Sequence, residues 1–119
     1  MAGRYDEIAR SGLGESVLAA VADLKQRLGD RFGERLEAFL LFGSHARGEA
    51  GSGSDVDLAI LVRGLDPGEK NAALDLVAEV ELDHLEPLST LFMSTQAFDE
   101  LKRRERRLAL DIESEGIAL

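Results

Sequence analysis

Cysteine and tryptophan are absent from the 119 residues, and there are only two prolines and two histidines. Without a thiol, thiolate zinc sites, redox motifs and disulfide frameworks are excluded together. His45 and His84 stand far apart in the chain and are too few for a histidine-built structural zinc site. Hard-metal sites built from carboxylates stay open. Long hydrophobic runs are missing as well: none approaches the roughly 20 residues that a bilayer requires. The leading MAGRYDEIARSG carries no apolar segment behind Arg4 and Arg10, so nothing reads as a signal peptide and a cytoplasmic protein is expected. Positive charge is in deficit, with 14 Lys and Arg against 23 Asp and Glu for a net charge of −9. That balance argues against general nucleic-acid binding, where phosphates must be met by a Lys/Arg excess.

What is present is the composition of a globular protein, 45% apolar and 31% charged, and its length predicts a single domain over residues 1–119. Val17, Val21, Leu24 and Leu28 recur at helical spacing within 15–29, with Gly29 as the expected stop. The unbroken run Ala38 to Phe42, closed by Gly43, reads as a buried strand within Leu36 to Phe42. A second strand is expected over Asp55 to Val62, with Val56, Leu58, Ile60 and Val62 on one face and Asp55, Asp57, Ala59 and Leu61 on the other. Pro67 opens a helix over 67–84 whose predicted buried stripe is Leu74, Val77, Ala78, Leu82 and Leu85. Leu88 to Met93 is a third strand, and helices follow over 95–105, anchored by Ala97, Phe98 and Leu101, and over Leu108 to Glu115. Phe39, Phe42, Phe92 and Phe98 are expected in the core. The fold class is α/β (α+β), a small mixed β-sheet of about three or four strands packed against helices. Pattern alone does not decide whether the first two strands pair as a hairpin or in parallel.

The segment from Gly43 to Asp57 carries the chemistry. A strand that stops at Gly43-Ser44 and opens a helical turn presents backbone N–H groups and a hydroxyl at one point, which suits phosphate oxygens. Asp55 and Asp57, two apart on a strand, leave the same face with Cα atoms about 6.5 to 7 Å apart. Two such carboxylates repel unless a divalent cation lies between them. A phosphate cradle beside a carboxylate pair suits Mg²⁺, which binds through one or two carboxylates plus substrate phosphates. Phosphoryl or nucleotidyl transfer from a nucleoside triphosphate is the reaction class that follows.

At these residues the sequence resembles the minimal nucleotidyltransferase family of the DNA polymerase β-like superfamily, whose mark is Gly-Ser, ten residues, then Asp-x-Asp. Gly43-Ser44, residues 45–54 and Asp55-Val56-Asp57 match that spacing without a gap. The resemblance implies that Asp55 and Asp57 are catalytic and hold Mg²⁺ (or Mn²⁺), and that Gly43 and Ser44 bind the phosphates of ATP or another NTP. Arg47 either contacts the triphosphate or braces a carboxylate. The family contributes a third carboxylate from the third strand, and Leu88 to Met93 contains none; Glu86 is a better substitute than Asp83. The resemblance also implies a separate all-helical HEPN-type partner, this chain being the antitoxin of a toxin-antitoxin pair.

Two functions therefore stand side by side: a transferase passing an NMP, in the first instance AMP from ATP, to a hydroxyl acceptor, or a degenerate module that binds nucleotide or its helical partner without turnover. The basic run Lys102, Arg103, Arg104, Arg106 and Arg107 is either a solvated helix face or a surface for an acidic partner or RNA. His45 reads as an exposed helix residue, and His84 as a surface or interface residue. An oligomer is compatible with all of these readings.

Overall fold

The first expected stripe forms one face of α1 (Glu15–Phe32) in the computed structural model, which describes residues 14–42, 56–104 and 106–119. Val21, Leu24 and Leu28 are buried, and Val17 packs against them partly covered. The helix does not stop at Gly29. It continues for most of a turn because Phe32, four residues beyond Leu28, carries the stripe on into the core. Gly33 then ends it at φ 57°, a value that glycine adopts without a steric penalty.

A 3-10 turn, Gly33–Arg35, leads into β1 (Leu36–Phe42), which pairs antiparallel with β2 (Val56–Val62) from Leu36 opposite Val62 to Phe42 opposite Asp57. The first two strands are therefore an antiparallel pair. From β2 the chain crosses over through α2 (Pro67–His84) to β3 (Leu88–Ser94), which lies parallel to β2. Two short helices, α3 (Thr95–Arg103) and α4 (Arg107–Glu115), are followed by β4 (Ile117–Ala118), antiparallel to β1. The result is a mixed four-stranded sheet in the order β3-β2-β1-β4, an α+β architecture.

The central strand β2 is covered on both sides. Val56, Leu58, Ile60 and Val62 enter a large core with Phe39, Leu41, Leu88 and Phe92 from the sheet and the buried faces of α1 and α2. Ala59 and Leu61 enter a smaller one with Phe98 of α3 and Ala109 and Ile112 of α4. Phe39, Phe92 and Phe98 are buried as expected, whereas Phe42, at the end of β1, is half-buried against the smaller core. Ala97 is exposed, so Phe98 and the half-buried Leu101 anchor α3 without it.

The predicted stripe of α2 is corrected. Ala73, Val77 and Val80 face the core, while Leu74, Ala78, Leu82 and Leu85 do not. The helix is apolar on more than one side, so periodicity alone leaves its rotation open; charged contacts at its two ends set it. Glu69 takes Arg35 in a bidentate pair at 2.7 and 2.8 Å, and His84 meets Asp23 of α1 at 2.9 Å. Glu69, Ala73, Val77, Val80 and His84 fall on one stripe at spacings of three and four, so fastening its ends to α1 and the β1 entry turns the small residues inward. Asp66 caps this helix reciprocally, accepting from Glu69 N at 2.7 Å while the Glu69 carboxylate accepts from Asp66 N at 3.2 Å, with Pro67 in the first turn. No helix among the described residues is long and apolar enough to cross a membrane.

Candidate functional site

Asp57 is the second residue of β2 and shares the side of the strand that Ala59 and Leu61 present to α3 and α4. Its register partners are Phe42, the last residue of β1, and Ser89, the second of β3. One end of the sheet thus gathers a half-buried carboxylate, an aromatic ring and an exposed hydroxyl on one face. The sequence leaves β1 through Gly43-Ser44 and enters β2 from Asp55. Gly43, Ser44, His45, Arg47 and Asp55 themselves lie outside the described residues.

The donor chemistry at this end fits a hard divalent cation. Among the described residues no cation is paired with Asp57, and Ser89 adds a neutral oxygen in register with it. Mg²⁺ and Mn²⁺ take oxygen donors of these kinds. No three acids or histidines among the described residues cluster as a metal site.

The third strand offers a hydroxyl where the resemblance calls for an acid. Counting acids along Leu88 to Met93 could only register an absence; the signal that identifies Ser89 is the pairing of β2 with β3, which requires the parallel register. Glu86 is half-buried, follows the left-handed residue Leu85 (φ 54°) and precedes Leu88 by two, on the side of the sheet where β2 begins. Asp83 is committed elsewhere, accepting from Arg27 of α1 at 2.8 Å. The same Arg27 grips Asp23 at 2.9 Å, and with His84 it holds the Asp23 carboxyl below the usual carboxylate range. His84 therefore joins two helices. Glu81 accepts from the backbone N–H of Leu88 at 3.0 Å and fixes the entry to β3.

The basic run is largely neutralised by its own surroundings. Lys102 meets Glu113 at 2.6 Å, Arg103 and Arg104 share Glu100 at 2.5 and 3.0 Å, and Arg107 reaches Asp111 at 3.4 Å. These contacts favour the solvated-face reading over an RNA surface.

Against this geometry, a family model described as "Nucleotidyltransferase domain" matches residues 21–113. Among solved structures, one from Sulfolobus solfataricus, provisionally described as a nucleotidyltransferase and determined at 1.40 Å, shares the fold with a TM-score of 0.51. It is 18% identical, and the alignment covers 90% of this chain and 88% of that one. No curated protein matches the chain in sequence.

Proposed function

Because the chain belongs to the nucleotidyltransferase domain family, we propose that it transfers a nucleoside monophosphate, AMP from ATP in the first instance, to a hydroxyl acceptor in a Mg²⁺-dependent reaction. The observation that carries this reading is Asp57, held at the start of a buried central strand with Ser89 beside it and with no cation paired to it among the described residues. Asp55 and Asp57 would hold the metal, Mg²⁺ or Mn²⁺, while Gly43 and Ser44 take the phosphates and Arg47 braces a carboxylate or the triphosphate. The cation, when bound, supplies charge neutralisation for the triphosphate. The acceptor oxygen bonds to the α-phosphorus as the bond from that phosphorus to the bridging oxygen breaks. Pyrophosphate leaves, and the hydroxyl proton passes to a site carboxylate or to water. The acceptor belongs to a separate partner in the cytoplasm, an all-helical HEPN-type protein that this chain silences as an antitoxin.

Ser89 favours a second reading, in which the chain binds nucleotide, or neutralises the helical partner by complex formation, with little turnover. Calorimetry with ATP, GTP, CTP and UTP, with and without Mg²⁺, tests the shared premise. Binding should require the metal and be lost in Asp57→Asn, whose folding stability should stay within about 0.5 kcal/mol of the parent. Metal-independent binding that survives Asp57→Asn overturns both nucleotide readings. Transfer from α-labelled ATP to the purified partner then separates them. If Ser89→Asp raises the rate at least about tenfold with unchanged nucleotide affinity, a missing carboxylate limits turnover. If the parent turns over and Glu86→Gln abolishes it, Glu86 is the substitute.

A further inference from the structure

The side chains of β3 say little about where the strand must sit along β2. Leu88 and Phe92 enter the larger core, while Leu91 and Met93 pack against the smaller one. After Ser89 and Thr90 the run Leu91-Phe92-Met93 is therefore apolar on both faces. Over that half of the strand a one-residue slip exchanges one apolar side chain for another, so burial specifies the pairing weakly there. The same slip would set Leu88 or Thr90 opposite Asp57 in place of Ser89. Contacts at the end of the strand where Ser89 lies carry the register instead.

Pro87 has no N–H, so the first backbone donor on entering β3 belongs to Leu88, a buried residue paired with Val56 at the start of β2. Glu81, three residues before the end of α2, accepts from that N–H through Oε2 at 3.0 Å. The helix that carries Glu81 is itself joined to α1 by His84 and Asp23 at 2.9 Å. From this chain of contacts we propose that Glu81 is a positioning residue: by holding the Leu88 N–H it fixes the β3 register that sets Ser89 beside Asp57, and through that register it governs metal binding at the candidate site. The metal-binding part rests on the proposed function, whereas the register belongs to the fold alone. What the backbone donor needs is an oxygen acceptor, which the amide of glutamine also supplies.

Two measurements on the full chain test it. Nuclear Overhauser contacts between β2 and β3, with the exchange rate of the Leu88 amide, read the register; titration with Mn²⁺ in the presence of ATP reads the site. Glu81→Ala should speed exchange at Leu88, weaken the contacts that join Asp57 to Ser89, and lower Mn²⁺ affinity at least about tenfold, with the circular dichroism of the parent. Glu81→Gln should restore all three readings towards the parent. Asp66→Ala, which weakens α2 at its other end, should leave the affinity unchanged. Unaltered contacts between Asp57 and Ser89 in Glu81→Ala, a Glu81→Gln variant as impaired as Glu81→Ala, or an equal loss of affinity in Asp66→Ala overturns the assignment. A parent that binds no Mn²⁺ with ATP overturns the proposed function instead, and the cross-strand contacts then decide whether Glu81 sets the register.

Discussion

The two faces of the sheet are built to different depths. Among the described residues, sixteen buried side chains form one core on the side of α1 and α2, and five form another on the side of α3 and α4. Both draw on the same strand, since the even residues of β2 enter the thick layer and Ala59 and Leu61 the thin one. Asp57 belongs to the odd set, at the end of β2 beyond Ala59 and Leu61. A carboxylate on the thick side would be buried among aliphatic groups and would lose its charge or its site. On the thin side it is half-buried. Among the described residues the larger core therefore lies on one face of the sheet and Asp57 on the other.

The largest expected effect follows from that division. Leu58→Ala, in the thick core, should cost about 3 to 5 kcal/mol in urea unfolding, and Ile112→Ala, in the thin one, about 2 to 3 kcal/mol. Equal losses would break the comparison, because they would mean that the few residues under α3 and α4 carry as much of the fold. Gly116→Ala comes next. A Cβ there would lie 2.4 Å from the carbonyl oxygen of Ile112, so α4 or β4 must shift, at about 1 to 3 kcal/mol. Since β4 pairs with Leu40 and Leu41 beside Phe42, that shift should also weaken nucleotide binding if the thin face is the working one. Asp66→Ala removes the reciprocal cap of α2 and should cost about 1 kcal/mol, without touching the Asp57 end.

The sequence was most legible where one physical cause acted alone. Val21, Leu24 and Leu28 define α1 because only one of its faces is apolar, and β2 was readable from its alternation. It was misleading for α2, where two apolar stripes competed and the decision rested on Arg35 and Asp23, residues distant in the chain that meet Glu69 and His84 of the helix. β4 was invisible because two residues carry no period. At the site, the Gly-Ser and Asp-x-Asp spacing pointed to Asp57, which the fold places near the start of β2 between Phe42 and Ser89. Ser89 was missed because its meaning depends on register, and register is a property of two strands together.

The smallest effects separate the two layers by pH. Arg35 holds the Glu69 carboxyl at about 2, from an ordinary 4.5, on the thick side. A group lowered in the folded state stabilises above its unfolded value, and that contribution is lost as pH falls from about 4.5 to about 2. On the thin side Glu113 raises Lys102 above its ordinary 10.5. A raised cation stabilises fully below its unfolded value, and its contribution disappears as pH rises through the folded one. Arg35 is itself raised by Glu69 and keeps its charge in alkali, so once pH rises beyond lysine's ordinary 10.5 and through the raised folded value the α3–α4 contact should weaken while the Arg35–Glu69 pair persists. Melting temperatures against pH for the parent, Glu69→Gln and Lys102→Met check both arms. The gap between parent and Glu69→Gln should close between about pH 4.5 and 2, and that between parent and Lys102→Met should close only in alkali. Both gaps should be small, because exposed pairs gain little. Should the Lys102→Met gap persist at high pH, charge is not what Lys102 contributes: its stem, with the ammonium 5.1 Å from the centre of the Phe98 ring, would be acting as packing over the thin core.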